Sequence, residues 1–373
     1  MADLSVCVNG LNLPNPFLIA SGPPSTNANV IAKAFDEGWG AVVTKTCCLR
    51  AERIINVAPR YARLRAEGTD EIYGWENIEL ISDRAFSTWL SEFRWLKERY
   101  PDQVVIASIM EECNRDAWIE IVQRVQETGV DALELNLSCP HGLPERKMGS
   151  AMGQDPEITR QVCEWVMSVA KVPVWAKLTP NITRIEDPGR AALQAGCSGL
   201  SAINTLLCIM GVNLETLRPE PTVEGYSTPG GYSCKAVRPI ALRMVAELSR
   251  LRRDEFPDRT ISGLGGIESG EDAAQFILLG ADTIQVCTGV MKHGYELVRR
   301  MREALTAFME RHGFETVEQF RGHSLRYLTT HADLVRRQAE ARQAGRDGAV
   351  LRDTDWRADE VVAQSERLAR SVG

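Results

Sequence analysis

Val130-Asp131-Ala132-Leu133-Glu134-Leu135-Asn136 is a short apolar run directly after Gly129, where a helical pattern closes. Trp118, Ile121, Val122 and Val125 recur on one face of that helix, and a glycine just past a helix is a common stop signal. The same junction of helix, glycine and strand-like run returns at residues 40–45, 199–204 and 280–286. Residues 17–20, 104–109, 173–177 and 260–263 add four more strand candidates, making eight. Asp155 followed by Pro156, and Ser269-Gly270-Glu271-Asp272, read as helix starts between them. Such alternation implies parallel strands, and eight units predict an α/β fold of the closed (β/α)8 TIM-barrel kind. An open doubly wound sheet is the alternative that pattern alone leaves standing.

Two connections are too long for a plain barrel, from Cys47 to about Asp102 and from Leu206 to about Ala236. They are expected to be active-site loop insertions. The barrel is expected over residues 1–320. Residues 321–373 turn polar and read as a C-terminal helical arm anchored by Leu334, Val335, Leu351, Trp356, Val361, Val362 and Leu368. A net charge of −7 without a basic block argues against nucleic acid and anionic membranes as main partners. No apolar stretch approaches the roughly 20 residues of a membrane helix, and no leader pattern opens the chain. Ten cysteines without a regular framework suit a reducing, cytoplasmic setting. The five histidines show no metal-ligand spacing, so no metal is expected.

Chemistry is expected where strands end. Lys45, Asn136, Lys177 and Asn204 terminate strands two, four, five and six, and barrel strands converge on the active site at those ends. Cys139, on the loop after strand four, is a candidate acid or nucleophile. His141 is placed either to tune it or to brace the loop. Cys47, Cys48, Cys113 and Cys287 read as structural cysteines. Gly263-Leu264-Gly265-Gly266-Ile267 and Cys287-Thr288-Gly289 follow strands seven and eight, where such barrels commonly bind phosphate. Gly230-Gly231-Tyr232-Ser233 offers a further close backbone approach.

Thr44-Lys45-Thr46, Asn77-Ile78-Glu79-Leu80, Asn136-Leu137-Ser138-Cys139-Pro140-His141, Ala176-Lys177-Leu178-Thr179-Pro180-Asn181 and Ile203-Asn204-Thr205 occur in that order. Together they resemble the FMN domain of dihydropyrimidine dehydrogenases, within the dihydroorotate dehydrogenase superfamily. The likeness spans about residues 4 to 320, and His141 favours the dihydropyrimidine branch, since the orotate branch usually carries Asn there. By resemblance, Ser21, Lys45, Lys177, Asn204 and Thr205 contact FMN, with Gly231, Gly266, Thr288 and Gly289 toward its phosphate. Asn77, Asn136, Ser138, His141, Asn204 and Thr205 would hold the substrate, each amide matching the alternating N–H and C=O groups of uracil. Cys139 would deliver a proton to C5 while a hydride passes from FMN N5 to C6, reducing uracil or thymine reversibly. The loop through Glu145-Arg146-Lys147-Met148-Gly149 would then close over the ring.

One departure matters. The chain lacks Cys-x-x-Cys and has no cysteine after Cys287, so it cannot build the iron–sulfur segment usual in these enzymes. Nor does Gly-x-Gly-x-x-Gly follow an early strand. Electrons are therefore expected from a partner subunit with FAD, iron–sulfur clusters and an NAD(P)H site, in a homo- or hetero-oligomer, or from a small soluble donor. Dihydroorotate oxidation, reduction of a related cyclic amide, and a catalytically silent flavin relay are the competing functions. A flavin-free structural barrel is a further alternative.

Overall fold

The computed structural model describes residues 2–139, 148–344 and 367. Eight parallel strands close into a barrel: β1 (Phe17–Ile19), β2 (Ala41–Val43), β3 (Val104–Ile109), β4 (Ala132–Asn136), β5 (Val174–Lys177), β6 (Gly199–Ala202), β7 (Thr260–Leu264) and β8 (Thr283–Val286). Each pairs with the next in chain order, and β8 returns to β1. Eight helices follow them in turn: α1 (Ala28–Glu37), α2 (Phe86–Arg99), α3 (Arg115–Gln126), α4 (Pro156–Met167), α5 (Glu186–Gln194), α6 (Arg238–Glu255), α7 (Gly270–Leu278) and α8 (Leu297–His312). The expected α/β barrel is the observed fold. Asp155 caps α4 by accepting from the Glu157 and Ile158 amides, and Ser269 caps α7 by accepting from Asp272 N at 3.1 Å.

Side-chain alternation on β4 explains the two cores. Leu133 and Leu135 pack outward in the helix-covered core with Trp118, Ile121 and Val125. Ala132 packs in the second core inside the barrel, so Glu134 and Asn136 point the same way, inward. The lumen consequently holds a polar layer. Gln285 Nε2 donates to Glu134 Oε2 at 2.8 Å, Ser262 Oγ at 3.1 Å and Ser201 Oγ at 3.2 Å. A hairpin of Val6–Val8 and Leu11–Leu13 packs Val8 and Leu13 against Leu18, Val43, Ile106 and Trp175 inside the barrel. Sequence reading had missed that hairpin.

The two long insertions build one structure. Strands Leu206–Cys208, Gly230–Ser233, Ile72–Asn77 and Tyr61–Arg65 pair antiparallel, in that order, into a four-stranded lid sheet. Two expected strand ends move. β2 stops at Val43, and Lys45 N instead donates to Ser25 O at 2.9 Å. β6 stops at Ala202, short of Asn204.

The chain forms two compact units, Met1–Leu325 and Arg326–Gly373. In the second, helix His331–Gln343 carries Asp333, which accepts from Arg337 Nε at 2.6 Å. Leu334 and Val335, expected as packing anchors, are more than half exposed. Leu351, Trp356, Val361, Val362 and Leu368 lie outside the described residues. Among the described residues no helix is long and apolar enough to cross a membrane.

Candidate active site

At the C-terminal end of the barrel, under the lid sheet, lies a cleft of about 1080 Å³ measured out to its mouth. Ser21, Lys45, Asn77, Asn136, Cys139 and Lys177 all line it. Asn204, Thr205, Gly266 and Thr288 do so as well. Eight chain segments, remote in primary order, thus meet in one cavity. Of the remaining candidates, Ser138, Gly231 and Gly289 sit behind the wall, and His141 lies outside the described residues, as does the loop from Pro140 to Lys147.

Those three still shape the site. Ser138 Oγ accepts from Asn204 Nδ2 at 2.8 Å. Gly231 O accepts from Asn77 Nδ2 at 3.2 Å, and a Cβ on Gly231 would stand 2.2 Å from Thr205 Oγ1. Its close approach is to the substrate-side residues, not to the cavity. A Cβ on Gly289 would meet Ile267 O at 2.6 Å, so this glycine lets the short helix Thr288–His293 pack on the loop after β7.

The amides are already joined. Asn136 Nδ2 donates to Thr46 Oγ1 at 3.0 Å, and Asn136 Oδ1 accepts from Ser138 Oγ at 3.2 Å. Asn204 Oδ1 accepts from Thr205 N at 2.8 Å. Thr46 Oγ1 in turn meets Ser21 Oγ at 3.2 Å and Ser108 Oγ at 2.8 Å. This chain of bonds fixes the amide rotamers at the cleft wall, and fixed dipoles need no reorganisation when a polar ring arrives.

Each cleft lysine faces a carboxylate. Lys45 Nζ lies 2.8 Å from Glu79 Oε2, and Lys177 Nζ lies 3.3 Å from Glu134 Oε1. Glu134 is 1% exposed, so Lys177 is what makes a carboxylate tolerable inside the barrel. Sequence reading quoted Glu79 within a motif without giving it work, and missed Glu134 and Tyr61. An inward-facing acid two residues before Asn136, whose partner across the parallel pair is the strand-end Lys177, is the signal that was available. Cys287, read as structural, lines the cleft. Burial holds its thiol up at about 11, although Lys177 and Lys45 pull the other way, so it stays protonated at neutral pH.

Cys139 is 8% exposed, is in no disulfide, and packs with Cys48, Ile81, Met110 and Met148 at the edge of the cleft. Its carbonyl accepts from Ser150 N at 2.9 Å. Gly149 makes that turn with φ +59°, and a Cβ there would come within 2.3 Å of Cys139 O. Gly149→Ala is therefore expected to displace the thiol and lower turnover at least tenfold. Steady-state kinetics on the purified variant checks it, and unchanged turnover would contradict the positioning role.

Glu111, just past β3, is a buried carboxyl outside the cleft, and Leu49 N donates to its Oε1 at 2.6 Å. Burial raises it to about 7, with Glu112 and Glu120 adding to the rise and the Leu49 amide and Arg50 opposing it. The folded chain holds this proton to higher pH than the unfolded chain. Its contribution is full below the usual carboxyl range and is lost as pH rises toward about 7. Glu111→Gln is expected to stabilise the chain by about 2 kcal/mol at pH 8 and by little at pH 5. Urea midpoints at the two pH values test this; an equal change at both would refute it.

A closed (β/α)8 barrel whose mouth gathers two lysines, two amides and a cysteine, with a third amide on the lid sheet, defines a barrel enzyme. A family model described as dihydroorotate dehydrogenase matches residues 3–309, and the chain belongs to that family. It is 57% identical to dihydropyrimidine dehydrogenase (NADP(+)), chloroplastic, of Arabidopsis thaliana, over 98% of this chain and 88% of that protein. The NAD-dependent dihydropyrimidine dehydrogenase subunit PreA of Escherichia coli is 41% identical, with 90% and 80% covered. The catalytic subunit of dihydroorotate dehydrogenase B (NAD(+)) of Pyrococcus abyssi is 33% identical, with 87% and 99% covered. A crystal structure of DHODH from Eimeria tenella, in complex with ferulenol, shares the fold at TM-score 0.71 and 23% identity, covering 86% of this chain and 88% of that one.

Proposed function

We propose that the chain is a dihydropyrimidine dehydrogenase-type oxidoreductase that binds FMN and reduces the C5=C6 bond of uracil or thymine, reversibly, with Cys139 as general acid and base. The observation that carries this reading is Cys139 on the same cleft wall as Asn77, Asn136 and Asn204. The family and its two dihydropyrimidine relatives support it.

The residues present fit FMN. Leu80, Ile203, Val237 and Ile267 line the cleft beside the amides and lysines, the apolar wall with a few placed polar groups that small-molecule and cofactor sites use. Gln285 Oε1, a buried acceptor on the wall, has no hydrogen-bond partner among the described residues. Ser21, Lys45 and Lys177 would hold FMN, with Gly266 and Thr288 toward its phosphate. When bound, FMN supplies the hydride for C6. The chain does the rest. Asn77, Asn136, Asn204 and Thr205 orient the ring through the donor and acceptor capacity that their fixing hydrogen bonds leave over. Lys45 and Lys177 present positive charge where negative charge accumulates. Cys139 gives its thiol proton to C5, and takes one back in the reverse direction.

Among the described residues lining the cleft, Lys45 and Lys177 are the only cations, and each faces a carboxylate. A site for dihydroorotate needs a contact for the substrate's own carboxylate, and this favours the uncharged pyrimidines. Electrons would come from a partner subunit carrying FAD, iron–sulfur clusters and an NAD(P)H site, since the Escherichia coli relative is named a subunit. Ten cysteines outside any disulfide suit a reducing compartment such as the cytoplasm. The test is product analysis: the photoreduced chain, given uracil without air, is expected to yield dihydrouracil. Recovery of uracil alone would overturn the reading.

A further inference from the structure

The excess charge of the cleft rests on a residue that does not line it. Glu79 gathers three donors: Lys45 Nζ at 2.8 Å, Arg60 Nη1 at 2.9 Å and Tyr61 Oη at 3.0 Å. Lys45 comes from the barrel, whereas Arg60, Tyr61 and Glu79 belong to the insertion after β2. Across the cleft, Lys177 and Glu134 balance each other. Among the described residues three cations therefore face two carboxylates, and Tyr61 adds none, because burial and then Glu79 raise its hydroxyl and keep it protonated. Arg60, with a third of its side chain exposed, is absent from the cleft wall.

We propose that Arg60 is a positioning residue for the redox chemistry of the cleft: by occupying one oxygen of Glu79 it offsets that carboxylate and leaves Lys45 with a net positive field, which favours reduced over oxidised FMN. This rests on the FMN reading above. The field is effective because Lys45 and Glu79 are only 10% and 9% exposed at their side chains, where screening by solvent and salt is weak. Arg60 keeps one side in water, which spares it the desolvation cost of a fully buried ion. Glu79 itself is ionised: burial pushes its carboxyl up, but Lys45, Arg60 and Tyr61 outweigh this and bring it below the usual carboxylate range. Without Arg60, Glu79 would cancel Lys45, and neither lysine would carry surplus charge into the cleft.

The test uses FMN-loaded protein and reads the midpoint potential by equilibration with a reference dye. Arg60→Met is expected to weaken the preference for reduced flavin roughly tenfold, about 30 mV downward for a two-electron couple. Arg60→Lys, which keeps the charge, should stay near the parent. Glu79→Gln removes the negative member and should move the potential upward. Opposite signs from the two partners of one ion pair are what an electrostatic role demands. A loosened lid would move both variants the same way, and that result, or no shift in Arg60→Met, overturns the proposal. FMN titration of the parent apoprotein separates the two layers: no binding overturns the reading of the site itself, whereas binding without opposite shifts overturns only the role of Arg60.

Discussion

Cys139→Ala is expected to lower uracil turnover about a thousandfold while FMN stays bound, because a positioned general acid contributes on the order of 10²–10⁴ in rate. The thiol sits at the cleft edge in an apolar cluster with Cys48 and Met148. Bulk water is therefore a poor substitute donor there. The other cleft thiol, Cys287, is held up at about 11 and belongs to the loop after β8. Cys139→Ser should retain the geometry but transfer protons less readily, and so fall between parent and alanine. Stopped-flow and steady-state rates on the three proteins check the order. An alanine variant with parental turnover would remove Cys139 from the chemistry.

Lys177→Met carries the largest expected stability effect. It strands Glu134, almost fully buried, with Gln285 as its remaining hydrogen-bond partner among the described residues. Breaking a buried ion pair from one side costs about 3–5 kcal/mol, since the charge left behind has neither water nor a counter-ion. The double variant Lys177→Met with Glu134→Gln should recover most of that loss, while its FMN affinity stays low for want of the amine. Denaturant midpoints with flavin titration separate the two effects. A single variant as stable as the parent would mean that Lys177 does not hold the lumen carboxylate.

What was legible in the sequence follows from the range of the forces involved. Local signals survived intact: Asp155 and Ser269 cap the helices they announced, and β4 alternates Leu133 and Leu135 outward with Glu134 and Asn136 inward. Eight repetitions of that local unit made the barrel readable, and the barrel placed Lys45, Asn136, Lys177 and Asn204 at one mouth. Contacts across the insertions were not readable. Ile72–Asn77 lies between Tyr61–Arg65, its local partner, and Gly230–Ser233, about 150 residues later in the chain, and short polar runs carry no information about so distant a partner. Glu79 reaches Lys45 only once the lid has folded over the barrel, so its part in the charge balance was invisible. The place of Cys287 on the cleft wall was unreadable for a related reason. Its position in the strand pattern was known, but a residue just past β8 faces core or cleft according to how the next turn packs, and here it joins the wall.

The most direct test is a single-turnover flavin experiment without air. Photoreduced protein is mixed with uracil, and oxidised protein is mixed with dihydroorotate. The amide-lined cleft, in which each lysine among the described residues already faces a carboxylate, predicts that uracil restores the oxidised flavin spectrum and that dihydroorotate leaves the oxidised spectrum unchanged. Rapid bleaching by dihydroorotate, with uracil inert, would contradict it.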